Sequence, residues 1–468
     1  MARRYFLAIA AFPAAFSTAF STAFAQTADP GRPAASPRVD YALTNVRIVT
    51  APGKVIERGT VVTRDGRIAA VGANVTIPAG VVRIDLAGHS VYAGLIDAAT
   101  SIGLPSPTRA LPATGDAAAG RGGFGGREGA PPQAGRGVAL GRPSTPLPPV
   151  VLPELDADAE AADMFAPTED ELKAFRAGGV TTVGLVFQGG LFPGRVGAAL
   201  TGMRDGSRLS LRTGIGQDVA FGTKRGGYPG TGIGAVAFIR QAFLDAQYEA
   251  RADKAFKAGT PGARPSNDPF QRSLMSAATN GIASWFVAST EREITRVAEI
   301  STELALKNPV VVGSQEGWRA IPALKRSGAT ALVSLRWPSP DSTTGRAFLA
   351  VGSGLSGVAP KSTAADTTEV HANAAALVKA GIPVALASFG GESGVTFRDR
   401  IRASIAAGLS ADDALRATTI TPATLLGISA AVGTIEIGKL ANFVVVSGND
   451  LFAAGVPIKH VFVDGRLY

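Results

Sequence analysis

The stretch YAGLIDAATSIGLP, residues 92–105, decides the fold. Its apolar residues run as a buried strand does, the run ends on Asp97, and Gly103 and Pro105 then open a loop. Upstream, residues 40–90 read as short strands joined by tight turns, in the segments ALTNVRIVT, GTVVTRDGRIAAVG and VVRIDLAGHSV. Asp65-Gly66 between alternating apolar flanks is a hairpin signal, because these residues tolerate the positive φ of a two-residue turn. The last segment, GTIEIGKLANFVVVSGNDLFAAGVPIKHVFVDGRLY, has the same texture, with Asp464-Gly465 as another turn. Strands at both ends around a different middle predict one small β-domain assembled from residues 26–90 and 429–468.

Between them, apolar runs alternate with longer amphipathic stretches, the pattern of βα units on a parallel sheet. GGVTTVGLVF (178–187), SWFVAS (284–289), NPVVVGS (308–314), ATALVSLRWP (329–338) and IPVALASFGG (382–391) are the clearest strands. EREITRVAEISTELALK and EGWRAIPALKRSG fit as helices between them, and residues 224–250 carry a further long amphipathic helix. The expected fold class is α/β, a (β/α)8 TIM-like barrel over 91–428 with a small composite β-sandwich formed by both chain ends. Residues 195–280 are too irregular to yield the missing strands.

Composition bounds the class. At 468 residues, 46% hydrophobic and 18% charged, the chain is long enough for more than one core. The start, MARRYFLAIAAFPAAFSTAFSTAFAQ, puts Arg3 and Arg4 before an apolar run and closes on Ala23-Phe24-Ala25, which reads as a secretory signal over 1–25. Pro13 and several Ser and Thr interrupt the run, against a membrane anchor, so no transmembrane segment is expected after cleavage. The expected location is outside the cytoplasm, in a bacterial periplasm. The chain has no cysteine, so neither disulfides nor a lipidated N-terminal cysteine can form. Formal charge falls from +9 to +7 when the two signal arginines are lost, which suits a weak attraction to anionic ligands or surfaces. The arginines are dispersed and the chain is read as exported, so nucleic acid is not an expected partner. The Gly/Pro-rich insert at 105–149 cannot bury enough apolar surface to order itself and reads as a loop after the first barrel strand, placed to act as a lid.

The hairpin VVTRDGRIAAVG, GLID at 94–97, GVTTV at 179–183, GLSADDALRATTITPATLLGI at 408–428 and the GTIEIGKLANFVVVSGN that follows occur together and in order. In this the chain resembles the amidohydrolase superfamily, in its imidazolonepropionase-like and dipeptidase-like exported branch. The resemblance implies a (β/α)8 barrel with a composite β-sandwich and hydrolysis of amide or other C–N bonds. It also implies one or two divalent metals at the barrel mouth, lowering the pKa of bound water to about 7. The family holds the metal with two histidines on strand 1, one each on strands 5 and 6, often a lysine on strand 4, and an aspartate on strand 8.

Carried onto this chain, those positions read Ala99 and Ser101 on strand 1, Ala288 on strand 5, Gly313 on strand 6 and Phe389 in place of the aspartate. The lysine has no clear counterpart. The chain has three histidines, and the sequence places none at a strand end: His89 in a turn, His371 on a helix and His460 in a strand of the terminal β-domain. With no cysteine either, a zinc-type N/S site is not expected.

The remaining candidates are carboxylates and mouth residues. Asp97, Glu316 and Glu392 are the candidate catalytic acids, able in convergence to bind a hard cation or to share general acid and base roles. Asp97 can equally be a structural acceptor, and Glu316 a first-turn helix acid. Arg336 and Trp337 in SLRWP, Gln188 in LVFQ and Tyr228 are the candidate ligand-binding residues, because an arginine beside an aromatic seats a carboxylate or planar group. Trp337 can instead pack on the barrel rim, and Tyr228 anchor a loop. The expectation is a superfamily member that has lost its metal site and binds a small molecule or a partner subunit, as a homo-oligomer or with an active paralogue. No cofactor is expected in that reading. The alternative is a hydrolase using a carboxylate-bound divalent metal or a metal-independent site.

Overall fold

The computed structural model describes residues 39–105, 155–204, 207–223, 228–266, 268–337, 364–390 and 393–468. The signal reading, nearly all of the Gly/Pro-rich insert, and Glu392 lie outside the described residues.

One sheet is built from both chain ends, in the order β16-β15-β14-β5-β1-β2-β3 with β4 beside β1. It comprises β1 (Tyr41–Ala51), β2 (Lys54–Arg64), β3 (Arg67–Gly72), β4 (Val82–Asp85), β5 (His89–Ala93), β14 (Phe443–Ser447), β15 (Ile458–Val463) and β16 (Arg466–Leu467). Both Asp-Gly signals sit at the turns they mark, Asp65 at φ 50° and Asp464 at φ 51°, each followed by a glycine at positive φ. Leu43, Ile48, Val61, Val91, Phe443 and Phe462 form this sheet's apolar core.

The second sheet is the barrel. Its strands are β6 (Leu95–Thr100), β7 (Val180–Leu185), β8 (Gly194–Arg204), β9 (Ser207–Ala220), β10 (Ala283–Ala288), β11 (Val310–Gly313), β12 (Thr330–Ser334) and β13 (Val384–Ala387), paired in sequence order. The Phe389 N–H donates to the Ala99 carbonyl at 3.0 Å, so the eighth strand's end meets the first. One strand departs from an all-parallel barrel. β8 runs antiparallel to both β7 and β9, so a hairpin stands where two βα crossovers were expected. This hairpin fills the region where the sequence offered no strands.

Most of the helices cover the outer face of the barrel, while Ala423 and Leu425 of the last one join the lumen core. The helices are α1 (Ala161–Met164), α2 (Glu169–Ala177), α3 (Gly232–Lys257), α4 (Pro269–Ala278), α5 (Glu291–Glu303), α6 (Ile321–Ser327), α7 (Ala364–Lys379), α8 (Gly394–Ala406), α9 (Ala411–Ala417) and α10 (Ile420–Leu425). Thr168 and Thr290 open α2 and α5 with capping boxes closed by Glu171 and Glu293, which satisfies donors that a helix start leaves unpaired. Outward strand residues such as Val183, Val219, Phe286, Val311 and Leu386 pack with α3, α5 and α8 in one core. Inward residues, including Ile96, Val196, Trp285, Val312, Leu332 and Ala385, fill the lumen as a separate core. Among the described residues, no helix is long and apolar enough to cross a membrane.

Candidate functional site at the barrel mouth

The parallel strands end together at the mouth, so residues just past β6, β7, β9, β10, β11, β12 and β13 define the candidate site. Register places Ala288 of β10 directly beside Gly313 of β11, as neighbouring strands 5 and 6 require. Ala99 and Ala288 are fully buried. Gly313 has φ +104°, and a Cβ built on it would lie 2.6 Å from Ser289 Oγ. Phe389 has φ 48° and packs against the lumen core. Ala99 belongs to the lumen core and Ala288 to the core shared with the helices, and the positive φ of Gly313 disfavours any side chain there. Their donor chemistry does not suit a divalent metal, since Ala, Gly and Phe offer no side-chain ligand and Ser101 offers a neutral hydroxyl. Among the described residues, no group of three or more His, Cys, Asp or Glu side chains gathers in a way that could hold an ion.

Asp97 is fully buried and turned to the seam of the barrel. Its Oδ1 accepts from the Ser388 N–H at 2.9 Å and the Ala99 N–H at 3.3 Å, and its Oδ2 accepts from the Ser388 hydroxyl at 2.5 Å. It thereby ties strand 1 to the end of strand 8. Glu316 is used differently, its Oε2 accepting the N–H of Glu291, the first residue of α5, at 2.8 Å. That is a cap on a neighbouring helix start, where a negative charge also complements the dipole.

Arg336 and Trp337 follow β12. The Arg336 side chain lies across Gly390 just beyond Phe389, with Nη1 2.7 Å from where a Gly390 Cβ would stand. Its backbone carbonyl accepts from Gln315 Nε2 at 2.6 Å, and its N–H donates to Ser334 Oγ at 3.2 Å. The Trp337 ring sits 3.9 Å, centroid to centroid, from the imidazole of His371 on α7, at 38°. Burial and the nearby Arg400 guanidinium both hold the His371 pKa below the usual imidazole value, the first more than the second. Arg400 Nη1 itself donates to the Leu335 carbonyl at 2.6 Å. The ends of strands 6, 7 and 8 thus bring together Gln315, Arg336, Trp337, Phe389 and His371. Gln188 lies half-buried past β7, and Tyr228 is 44% exposed with its ring edge-on to Phe238 of α3, 6.0 Å between centroids.

Two residues of interest escaped the sequence reading. His371 looked like a helix-surface residue, and only the packing of α7 on the strand ends puts it against Trp337. Asp218 on β9 is wholly buried. The available signal was its place in Gly214-Ile-Gly-Gln-Asp-Val-Ala220, where period two puts it on the same face as Gly216 and Ala220.

Comparison with known proteins agrees with this architecture. The amidohydrolase family model matches residues 356–468. No curated protein matches the chain. A solved amidohydrolase from Thermotoga maritima MSB8 is similar in fold, with a TM-score of 0.66 at 21% identity over 91% of this chain and 99% of that one. Molinate hydrolase is more distantly similar, with a TM-score of 0.50 at 13% identity over 92% of this chain and 95% of that one. The C-terminal quarter is thus similar in sequence to the amidohydrolase family, and the fold as a whole is similar to that of a solved amidohydrolase.

Proposed function

We propose that this chain is an exported, periplasmic member of the superfamily that has given up metal-assisted hydrolysis and uses the barrel mouth to bind a small molecule. The carrying observation is the set of residues at the strand ends, Ala99, Ser101, Ala288, Gly313 and Phe389, none of which offers the imidazole or carboxylate that a divalent metal needs. The two carboxylates that the alternative hydrolase reading could recruit among the described residues are already engaged, Asp97 with Ser388 and Glu316 with α5. Arg336, with Trp337 beside it, favours a ligand that is planar and negatively charged, which suits the net charge of +7 left once the two signal arginines are removed. A second subunit, another copy or an active relative, would supply any chemistry done on that ligand.

The test is elemental analysis of the purified protein after expression with zinc, manganese and iron available and subsequent dialysis. The expected result is metal far below one equivalent per chain. Near-stoichiometric metal would overturn the reading and make carboxylate-held metal hydrolysis the leading one.

A further inference from the structure

Asp218 lies on the lumen face of β9, between Gly216 and Ala220, and its solvent exposure is 0%. Among the described residues, neither of its carboxyl oxygens has a hydrogen-bond partner. Register sets it beside Gly194 of β8 and Trp285 of β10. The indole N–H of Trp285 is likewise buried without a partner among the described residues, and it rests against Gly216, two residues before Asp218 on the same face. A Cβ on Gly216 would stand 2.3 Å from that nitrogen, so glycine is what admits the indole.

The apolar lumen core on this side of the sheet includes Ile96 and Ala98 of β6, Val196 of β8, Trp285 and Val287 of β10, and Leu332 of β12. Among the described residues, no charged side chain acts on the Asp218 carboxyl. Arg195 and Gln217, on the same strands, point to the outer face, where Arg195 pairs with Glu160. A carboxylate here would have lost its water and found no cation in return. Burial accordingly pushes the Asp218 pKa well up, while the N–H groups of Phe187 and Val219 approach and oppose the shift without making hydrogen bonds of normal geometry.

We infer that Asp218 is a proton-binding site built into the barrel: the folded protein holds it as the neutral acid, and loss of that proton turns the Trp285 indole N–H onto the new carboxylate and repacks the lumen. The O–H bond breaks with its electron pair left on Asp218, the proton leaves to solvent, and the indole N–H of Trp285, on the neighbouring strand in register with Asp218, becomes the carboxylate's partner. The inference stands on the lumen alone and is independent of what binds at the mouth.

The experiment is infrared difference spectroscopy of the full chain at neutral pH, wild type minus Asp218→Asn, followed by a titration toward alkaline pH with tryptophan emission recorded in parallel. The expected result is a protonated-carboxyl C=O band in the wild type that the variant lacks. On titration, that band should bleach in the same step that changes the emission. Trp285→Phe should keep the band loss and lose the emission change, which separates Trp285 from the other two tryptophans. Absence of the band at neutral pH overturns the proposal, as does an emission change that survives in either variant. Should Asp218→Asn not fold, Asp218→Leu replaces it in the difference spectrum.

Discussion

Asp97 and Ser388, 291 residues apart in sequence, share two hydrogen bonds across the seam where strand 1 meets the end of strand 8. The acid that closes the decisive stretch of sequence is therefore a structural latch. Ser388→Ala should lower stability by about 1.5–3 kcal/mol, the usual loss for a hydrogen bond to a charged group. Asp97→Ala should cost more, because the Ser388 N–H and hydroxyl and the Ala99 N–H all lose their acceptor. Urea unfolding checks both, and an Asp97→Ala protein as stable as wild type would remove the latch.

Asp218→Asn should stabilise the protein at neutral pH. The folded pKa lies above the unfolded value of about 3.9, so between the two the unfolded chain releases a proton that the folded chain keeps. Stability contributed at this site therefore falls as pH rises through that window. The advantage of the amide should shrink as pH is lowered and vanish below the unfolded value, where both states are protonated. Denaturation midpoints of the two proteins from acid to neutral pH measure this, and parallel curves would refute it.

His371 gives the opposite sign. Its folded pKa lies below the unfolded value of about 6.5, so acidification through that value protonates the unfolded chain first and draws stability away. His371→Gln should flatten the stability profile in that range. It should also remove any pH dependence that the imbalance imposes on Trp337 emission, which a fluorescence titration reads directly.

Gly178, the residue after α2, and Gly394, the first residue of α8, touch backbone to backbone. A Cβ on Gly178 would lie 1.8 Å from the Gly394 carbonyl carbon, and one on Gly394 would lie 2.1 Å from the Phe175 carbonyl oxygen. Alanine at either position should cost about 1–3 kcal/mol or more by overpacking, despite alanine's better helix propensity. Thermal melts of the two variants suffice to check this.

The terminal sheet was legible because its turns are Asp-Gly pairs that admit few other structures, and the buried parallel strands because they are near-continuous apolar runs. The β8/β9 hairpin was harder to read, since Gly194–Ala220 mixes glycines with arginines and lacks a regular apolar pattern. Yet Asp205-Gly206 lies between those strands in the sequence, the same signal as Asp65-Gly66. At the site, the replacement of family ligands could be read residue by residue. The roles of the remaining acids could not, because Asp97 and Glu316 take partners 291 and 25 residues away. Such pairings depend on how strand ends meet, which local pattern does not encode.

The reversed third strand also bears on the order of assembly. β8 and β9 are consecutive in sequence and can zip up with little loop entropy, whereas the Asp97–Ser388 closure must wait for nearly the whole barrel to be made. Substitutions at the closure should therefore accelerate unfolding and leave the refolding rate almost untouched, while those that loosen the hairpin should slow refolding. Chevron plots of Ser388→Ala and Val196→Ala would display the two behaviours on opposite limbs.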